Sequence, residues 1–275
     1  MKKVSFVFVL LTALLFVMSS VVAVNAGTLE DVKAKGVLTA GVKDAVVPFG
    51  YVDEKTKALV GFDVDICREL ANKLGVKLEL KPVTSATRIP KLAQGTVDLA
   101  AATMTHKLSR DEVIDFTITY FMDGQKLLVK KGGGVKSYHD LAGKRVGTAK
   151  GSTSEKNIKN VQPDCTVISY EGYPQAFLAL KQGKVSAVTT DSSILVGLKA
   201  SDDNPDKWEI TGDFFANEPY GIGVRENDSD FRDFVNRSLI EMWEDGTYLK
   251  LYNKWFGPDT KYYIPLTWEM ETFPK

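Results

Sequence analysis

The stretch Thr84–Phe121, TSATRIPKLAQGTVDLAAATMTHKLSRDEVIDFTITYF, runs a short helix, an apolar strand, a cluster of hydroxyls and an arginine in immediate succession. Arg88–Gln94 reads as the helix, closed by Gly95. Thr96–Thr103 is apolar enough for a buried strand, and Thr103 and Thr105 fall at its end, where an open α/β sheet receives its ligand. Arg110 follows one short loop later. A guanidinium beside two hydroxyls offers a planar fork and extra donors that fit a carboxylate bidentately. The competing reading makes Arg110 the ion-pair partner of Asp111 or Glu112 at a helix start.

The alternation of strand and helix extends in both directions. Upstream lie a helix over Leu29–Lys35, a strand over Val37–Val42, a helix over Phe62–Leu74 and a strand carrying Val76, Leu78 and Leu80. Downstream, Gln125–Lys130, Arg145–Thr148, Thr166–Tyr170 and Val185–Thr189 read as strands. Helices over Ser154–Asn160, Pro174–Gln182 and Ser192–Lys199 separate the last three and follow them. Pro174 suits a first helical position and Gly183 a C-terminal cap. Strands alternating with helices imply crossover units and a mostly parallel sheet.

The first residues, Met1-Lys2-Lys3, the apolar run Phe6–Met18 and the small-residue site Val24-Asn25-Ala26 describe a secretory signal peptide cleaved after Ala26. The alternative is an uncleaved anchor, since Phe6–Val24 is nearly long enough to span a bilayer. The chain of 275 residues holds 35 basic and 35 acidic side chains, and this balance carries no electrostatic footprint for nucleic acid or an acidic membrane. The chain beyond Ala26 is long enough for two lobes of ordinary domain size. Cys67 and Cys165 are the only cysteines. They lie far apart in sequence, so buried free thiols are the expectation.

Thr84–Phe121 and Gly61–Gly75 (GFDVDICRELANKLG) together resemble the extracytoplasmic amino-acid-binding proteins of ABC transporters. The elements that carry the resemblance are Gly61-Phe62-Asp63-Val64-Asp65 opening a helix, Thr103-Met104-Thr105 ending a strand, Arg110, and Asp115-Phe116 with Tyr120-Phe121 leading into a hinge. The resemblance implies a two-lobed α/β periplasmic binding protein of type II, each lobe a mostly parallel sheet flanked by helices, with the ligand in the cleft. Residues 27–123 form the first lobe and 124–218 the second. Residues 219–275 recross at Tyr220-Gly221 to complete the first lobe with a helix pair, Phe231–Asp245 and Thr247–Trp255, and a tail.

Further candidate residues each carry a plain structural alternative. Lys43 follows the first strand and points into the cleft or into solvent. Arg88 sits at a helix start beside Pro90, where a cation opposes the dipole unless an anion, either ligand or a nearby Asp, meets it. Gly151-Ser152-Thr153-Ser154-Glu155 contains a capping box, Ser152 with Glu155, and a helix N-terminus of that kind also receives anions. Thr148, Ser152 and Thr153 are therefore placed at the ligand. Asp191 suits an N-cap; the resemblance gives it the substrate ammonium instead. Tyr173 is placed to close over a ligand, and Phe49 and Tyr51 either wall the pocket or pack the lobe.

The expected protein is not an enzyme. It captures an L-amino acid and delivers it to an inner-membrane permease as a periplasmic monomer, with no cofactor or metal. Arg110 with Thr103 and Thr105 matches an α-carboxylate, and Asp191 an ammonium. Lys43 and Arg88 are then surplus cations, and burying unpaired charge is expensive, so glutamate or aspartate is the expected ligand. The sequences R-I-P-x-L, L-S-R-D and N-P-D-K-W-E-I agree with the acidic and general branches of the resembled family. The alternatives are a broad-specificity polar amino-acid binder and a periplasmic dehydratase, for which only Glu171 and Glu218 offer an acid. His106 and His139 are expected at the surface.

Overall fold

The chain builds the alternation read from its sequence. In the first half, α1 (Thr28–Lys35) leads into β1 (Val37–Val42), the short strands β2 (Ala45–Val46), β3 (Gly50–Val52) and β4 (Leu59–Val60), α2 (Phe62–Leu74), β5 (Lys77–Pro82), α3 (Arg88–Ala93), β6 (Leu99–Ala100) and β7 (Ile114–Lys130). The second half contains β8 (Arg145–Ala149), α4 (Ser154–Val161), β9 (Thr166–Tyr170), α5 (Tyr173–Lys181), β10 (Ala187–Asp191), α6 (Ser192–Ala200) and β11 (Trp208–Thr211). The chain then returns through β12 (Asn217–Arg225), α7 (Ser229–Glu244) and α8 (Thr247–Phe256). This computed structural model describes residues 27–273; the expected signal segment 1–26 lies outside the described residues.

The sheet order is β5-β1-β6-β12-β7-β10-β8-β9, with β11 also on β7. Its two ends are parallel: β1 pairs with β5 and β6, and β8 with β9 and β10. The middle is antiparallel, because β7 and β12 both run between the ends. Ile114–Gly124 of β7 faces β12, whereas Gln125–Lys130 faces β10 and β11. One strand thus belongs to both halves, with the handover between Gly124 and Gln125.

Helix α2 shows how local sequence sets this frame. It begins after Gly61, whose φ of 144° and whose 2.1 Å clearance from an added Cβ to Phe49 O admit no side chain. It ends at Gly75 in a left-handed C-cap. Between them Phe62, Ile66, Cys67 and Leu70 face the core. Phe49, Phe62, Phe121 and Phe256 form a ring cluster with centroids 5.0–6.3 Å apart, which anchors the β2–β3 connection and α8 to β7. Cys67 and Cys165 are both free and buried, as expected. The tail packs on the same core, Trp268 against Trp243 at 5.6 Å, with Met270 buried.

Two expectations are corrected, and one feature was not expected. The strand expected over Thr96–Thr103 is only Leu99–Ala100, because Thr103 turns to φ 47° and ends the ladder. The strand expected to begin at Gln125 begins eleven residues earlier, at Ile114; the polar Thr117, Thr119 and Asp123 interrupt its apolar pattern, and tertiary pairing overrides propensity. The small sheet β2-β3-β4 has no counterpart in the sequence pattern, since its strands have two or three residues and give no periodicity.

Candidate ligand-binding site

Three cations from the first half converge. Lys43, directly after β1, donates from Nζ to Ser85 Oγ at 2.7 Å. Arg88, at the start of α3, donates from one terminal nitrogen to the carbonyls of Ala102 and Thr103 at 2.6 and 2.7 Å, and its Nε has no partner. Arg110 stands in a turn beyond β6 and donates to Thr105 O at 2.6 Å. Lys43 and Arg88 are 4% and 2% exposed. None of the three makes an ion pair among the described residues. Neutral oxygens alone meet them, so their charge is solvated by dipoles rather than cancelled.

The left-handed backbone at Thr103 is part of this arrangement. A β-branched residue at positive φ is strained. Here it turns the Thr103 carbonyl onto Arg88 and its N–H onto the buried Asp63 carboxylate at 3.1 Å. Asp63 also accepts from Tyr120 OH at 2.8 Å. Its position in the first turn of α2 holds the end of β6 in register with the helix.

Opposite the cations stands Asp191, 3% exposed, at the junction of β10 and α6. One carboxylate oxygen accepts from Tyr220 OH, and the other, Oδ1, has no partner. Glu218 on β12 accepts from Thr105 Oγ1, from Thr153 Oγ1 at 2.8 Å and from Asn157 Nδ2 at 2.8 Å. It therefore ties the first half, through Thr105, to α4 of the second. Thr148 Oγ1 donates to Thr189 O at 2.8 Å, and Ser152 Oγ lies 3.4 Å from Thr148 Oγ1.

Burial dominates the electrostatics. It lowers the Lys43 ammonium, with Arg88 adding to the effect and Asp63 opposing it. It also lowers the Arg88 guanidinium. Burial and the neighbouring Arg88 bring Arg110 down to about 10. The carboxyls move the other way. Burial, then the charges of Glu218 and Asp123, pushes Asp191 well above the usual carboxylate range. Burial raises Glu218 too, against its hydroxyl donors, and raises Asp63 to about 7. Such opposed displacements in one cluster make it a candidate functional site.

The structure brings Lys43, Arg88, Thr103, Thr105, Arg110, Asp191 and Thr153 into one connected cluster, with Thr148 and Ser152 at its edge. Tyr173 is buried beside it, and burial followed by the Asp191 charge raises its phenol to about 12. Phe49 and Tyr51 are not brought there. Phe49 is fully buried in the ring cluster, and Tyr51 packs edge-on against Trp255 at 6.1 Å.

The Ser152–Glu155 capping box does not form, because Gly151 at φ 77° delays the helix to Ser154. Ser152 donates to Ala149 O instead, and Glu155 accepts from Gly151 N. The reciprocal box occurs at Ser137 and Asp140. The competing ion pair of Arg110 with Asp111 or Glu112 is also absent among the described residues; Asp111 lies 3.0 Å from His106. Sequence reasoning missed Ser85, Asp63, Asp123 and Asn157 as partners. Of these, only Asp63 left a signal, a carboxylate on the apolar face of a helix.

A crevice of about 960 Å³ lies nearby, lined by Tyr51, Phe177, Lys181, Gly197 and Tyr262 among others, but by none of the three cations nor by Asp191. The charged cluster is enclosed in this structure, and its chemistry rather than its volume identifies it.

Comparison with known proteins shows the family. Residues 38–258 match the model for bacterial extracellular solute-binding proteins, family 3, and the chain belongs to that family. It is 40% identical over 236 residues to the ABC transporter glutamine-binding protein GlnH of Bacillus subtilis, covering 84% of this chain and 85% of that one. It is 32% identical over 241 residues to the L-glutamate/L-aspartate-binding protein of Pseudomonas aeruginosa, covering 84% and 80%. An ancestral arginine-binding protein bound to glutamine superposes with a TM-score of 0.77 at 42% identity, covering 81% and 98%. The family is one of transport proteins rather than enzymes, and the two-lobed α/β class expected from the sequence is the class of these neighbours. No described helix is long and apolar enough to cross a membrane.

Proposed function

We propose that the protein binds an L-amino acid within the charged cluster and delivers it to an ABC permease. The observation that carries this reading is the unpartnered Asp191 Oδ1 set among unpaired buried cations. An α-amino acid supplies what each lacks: its ammonium meets Asp191, and its carboxylate meets the fork of Arg110 with the Thr103 hydroxyl and, once that is released from Glu218, the Thr105 hydroxyl. The names of the relatives support an amino acid as the ligand class. In this reading the lobes are 27–123 with 219–275 and 124–218, the crossings near Asp123 and Glu218 are the hinge, and the mature protein is a periplasmic monomer that begins after Ala26.

For the ligand side chain we favour glutamate or aspartate, because Lys43 and Arg88 have only neutral partners and a second carboxylate would neutralise them. Glutamine is the second reading, favoured by the name of the 40% identical Bacillus subtilis relative. Its carboxamide oxygen accepts from the same donors. Lys43→Met separates the two. It should weaken L-glutamate at least tenfold, about 1.4 kcal/mol, and L-glutamine little. Equal losses for acid and amide, read by calorimetry, would remove Lys43 from side-chain recognition and the acidic reading with it.

A further inference from the structure

Two backbone approaches flank the charged cluster. A Cβ built on Gly197, inside α6, would lie 1.9 Å from Val47 O and 2.8 Å from Val47 C. Val47 links β2 to β3 on the half that carries Lys43, whereas α6 begins directly after Asp191. On the other flank a Cβ on Gly151 would lie 2.7 Å from Ala86 Cα and 3.0 Å from Ser85 O. Ser85 is the residue whose hydroxyl holds Lys43. At both points one partner belongs to the β5-β1-β6 end of the sheet and the other to the β10-β8-β9 end. The opposing atoms are backbone, so no change of rotamer relieves them.

The two glycines differ in what else requires them. Gly151 has φ 77°, which by itself favours glycine. Gly197 is helical and is not among the positive-φ residues, so α6 alone would be better served by alanine. The remaining reason for glycine at 197 is the approach of Val47 across the two halves.

We propose that Gly197 is a positioning residue for ligand capture: its missing side chain lets α6, and Asp191 with it, come within reach of the Arg88 and Arg110 side. This rests on the two-lobed amino-acid-binding reading above. Gly197 touches no ligand in this account. A methyl group at 197 holds the halves apart, weakens every amino acid alike, and leaves the free protein as stable as before or more so.

The test uses the full mature chain with nitroxide labels on cysteines replacing the exposed Lys55 and Lys184, one in each half, since Cys67 and Cys165 are buried. Label distances, thermal melting and titrations with L-glutamate and L-glutamine are compared between the labelled parent and Gly197→Ala. The expected result is loss of the shortest distances in the variant, at least tenfold weaker binding of whichever amino acid the parent takes, and an unchanged or higher melting temperature. Equal affinity, or matching distance distributions, would overturn the proposal. A lower melting temperature with unchanged distances would do the same and make Gly197 ordinary packing.

If the parent binds neither amino acid, the functional reading fails separately. The distance distributions of the free proteins still decide the role of Gly197, with loss of the shortest distances supporting it. Gly151→Ala tests the opposite flank should Gly197→Ala fail to fold, and parent-like distances there would also count against the closure contacts.

Discussion

Asp191 occupies the N-cap position of α6 without capping it, and this separates two roles that one sequence position can carry. Its carboxylate turns to Tyr220 and leaves one oxygen bare. A buried carboxylate so placed costs stability in the free protein and is compensated when a cation arrives. Asp191→Asn should therefore lower affinity for any α-amino acid about a hundredfold or more, roughly 3 kcal/mol, while raising the melting temperature of the free protein. A cap would behave in the opposite way, losing stability and keeping affinity. Arg88 stood out in the sequence because a cation at a helix start has no local partner, whereas Arg110 and Asp191 each had a local alternative, an ion pair and an N-cap, and only the resemblance pointed past it. Ser85 and Asn157 were not, because a small polar residue in a loop or helix gives no sign of which distant atom it will meet.

At the scale of elements, the cap that α6 lacks from Asp191 comes from a different strand. Asp123 on β7 accepts from Ser192 N at 3.2 Å, Ser193 N at 2.9 Å and Ser192 Oγ at 2.6 Å, and also from Ser193 Oγ. Burial raises its carboxyl against these donors. The strand that joins the two halves thus fixes the helix that carries Asp191's neighbours. Asp123→Ala should destabilise the protein by about 2 kcal/mol in urea melts, since it leaves buried donors at a helix start unmet. A loss under about 0.5 kcal/mol would mean that water caps the helix equally well. Apart from β6, which is shorter than expected by three residues at each end, the helices and parallel strands of both halves were readable to within about two residues, which is as close as helix ends are usually defined. The length of β7 and the caps were not, because they depend on pairing between segments far apart in sequence.

At the scale of the whole molecule, the buried carboxyls make stability and affinity respond oppositely to pH. Asp63, raised from 3.8 to about 7, stays protonated in the folded protein over a range where the unfolded chain has already ionised. Its contribution is present in full below 3.8 and is lost as pH rises to about 7. The raised Asp123, Asp191 and Glu218 act with the same sign. Capture of an ammonium needs Asp191 ionised, so acid weakens binding while it stabilises the empty protein. The two-lobed class was legible from the order of GFDVD, TMT and Arg110. The close approach of Gly197 to Val47 was not, because the two meet from distant parts of the chain.

The most direct test of the charged cluster as an amino-acid site is calorimetric titration of the wild-type protein with L-glutamate and L-glutamine at about pH 8 and about pH 5. Saturable one-to-one binding of at least one of them, weaker at the lower pH and with glutamate the tighter ligand, is the predicted result. No heat of binding from either amino acid at either pH would contradict the account.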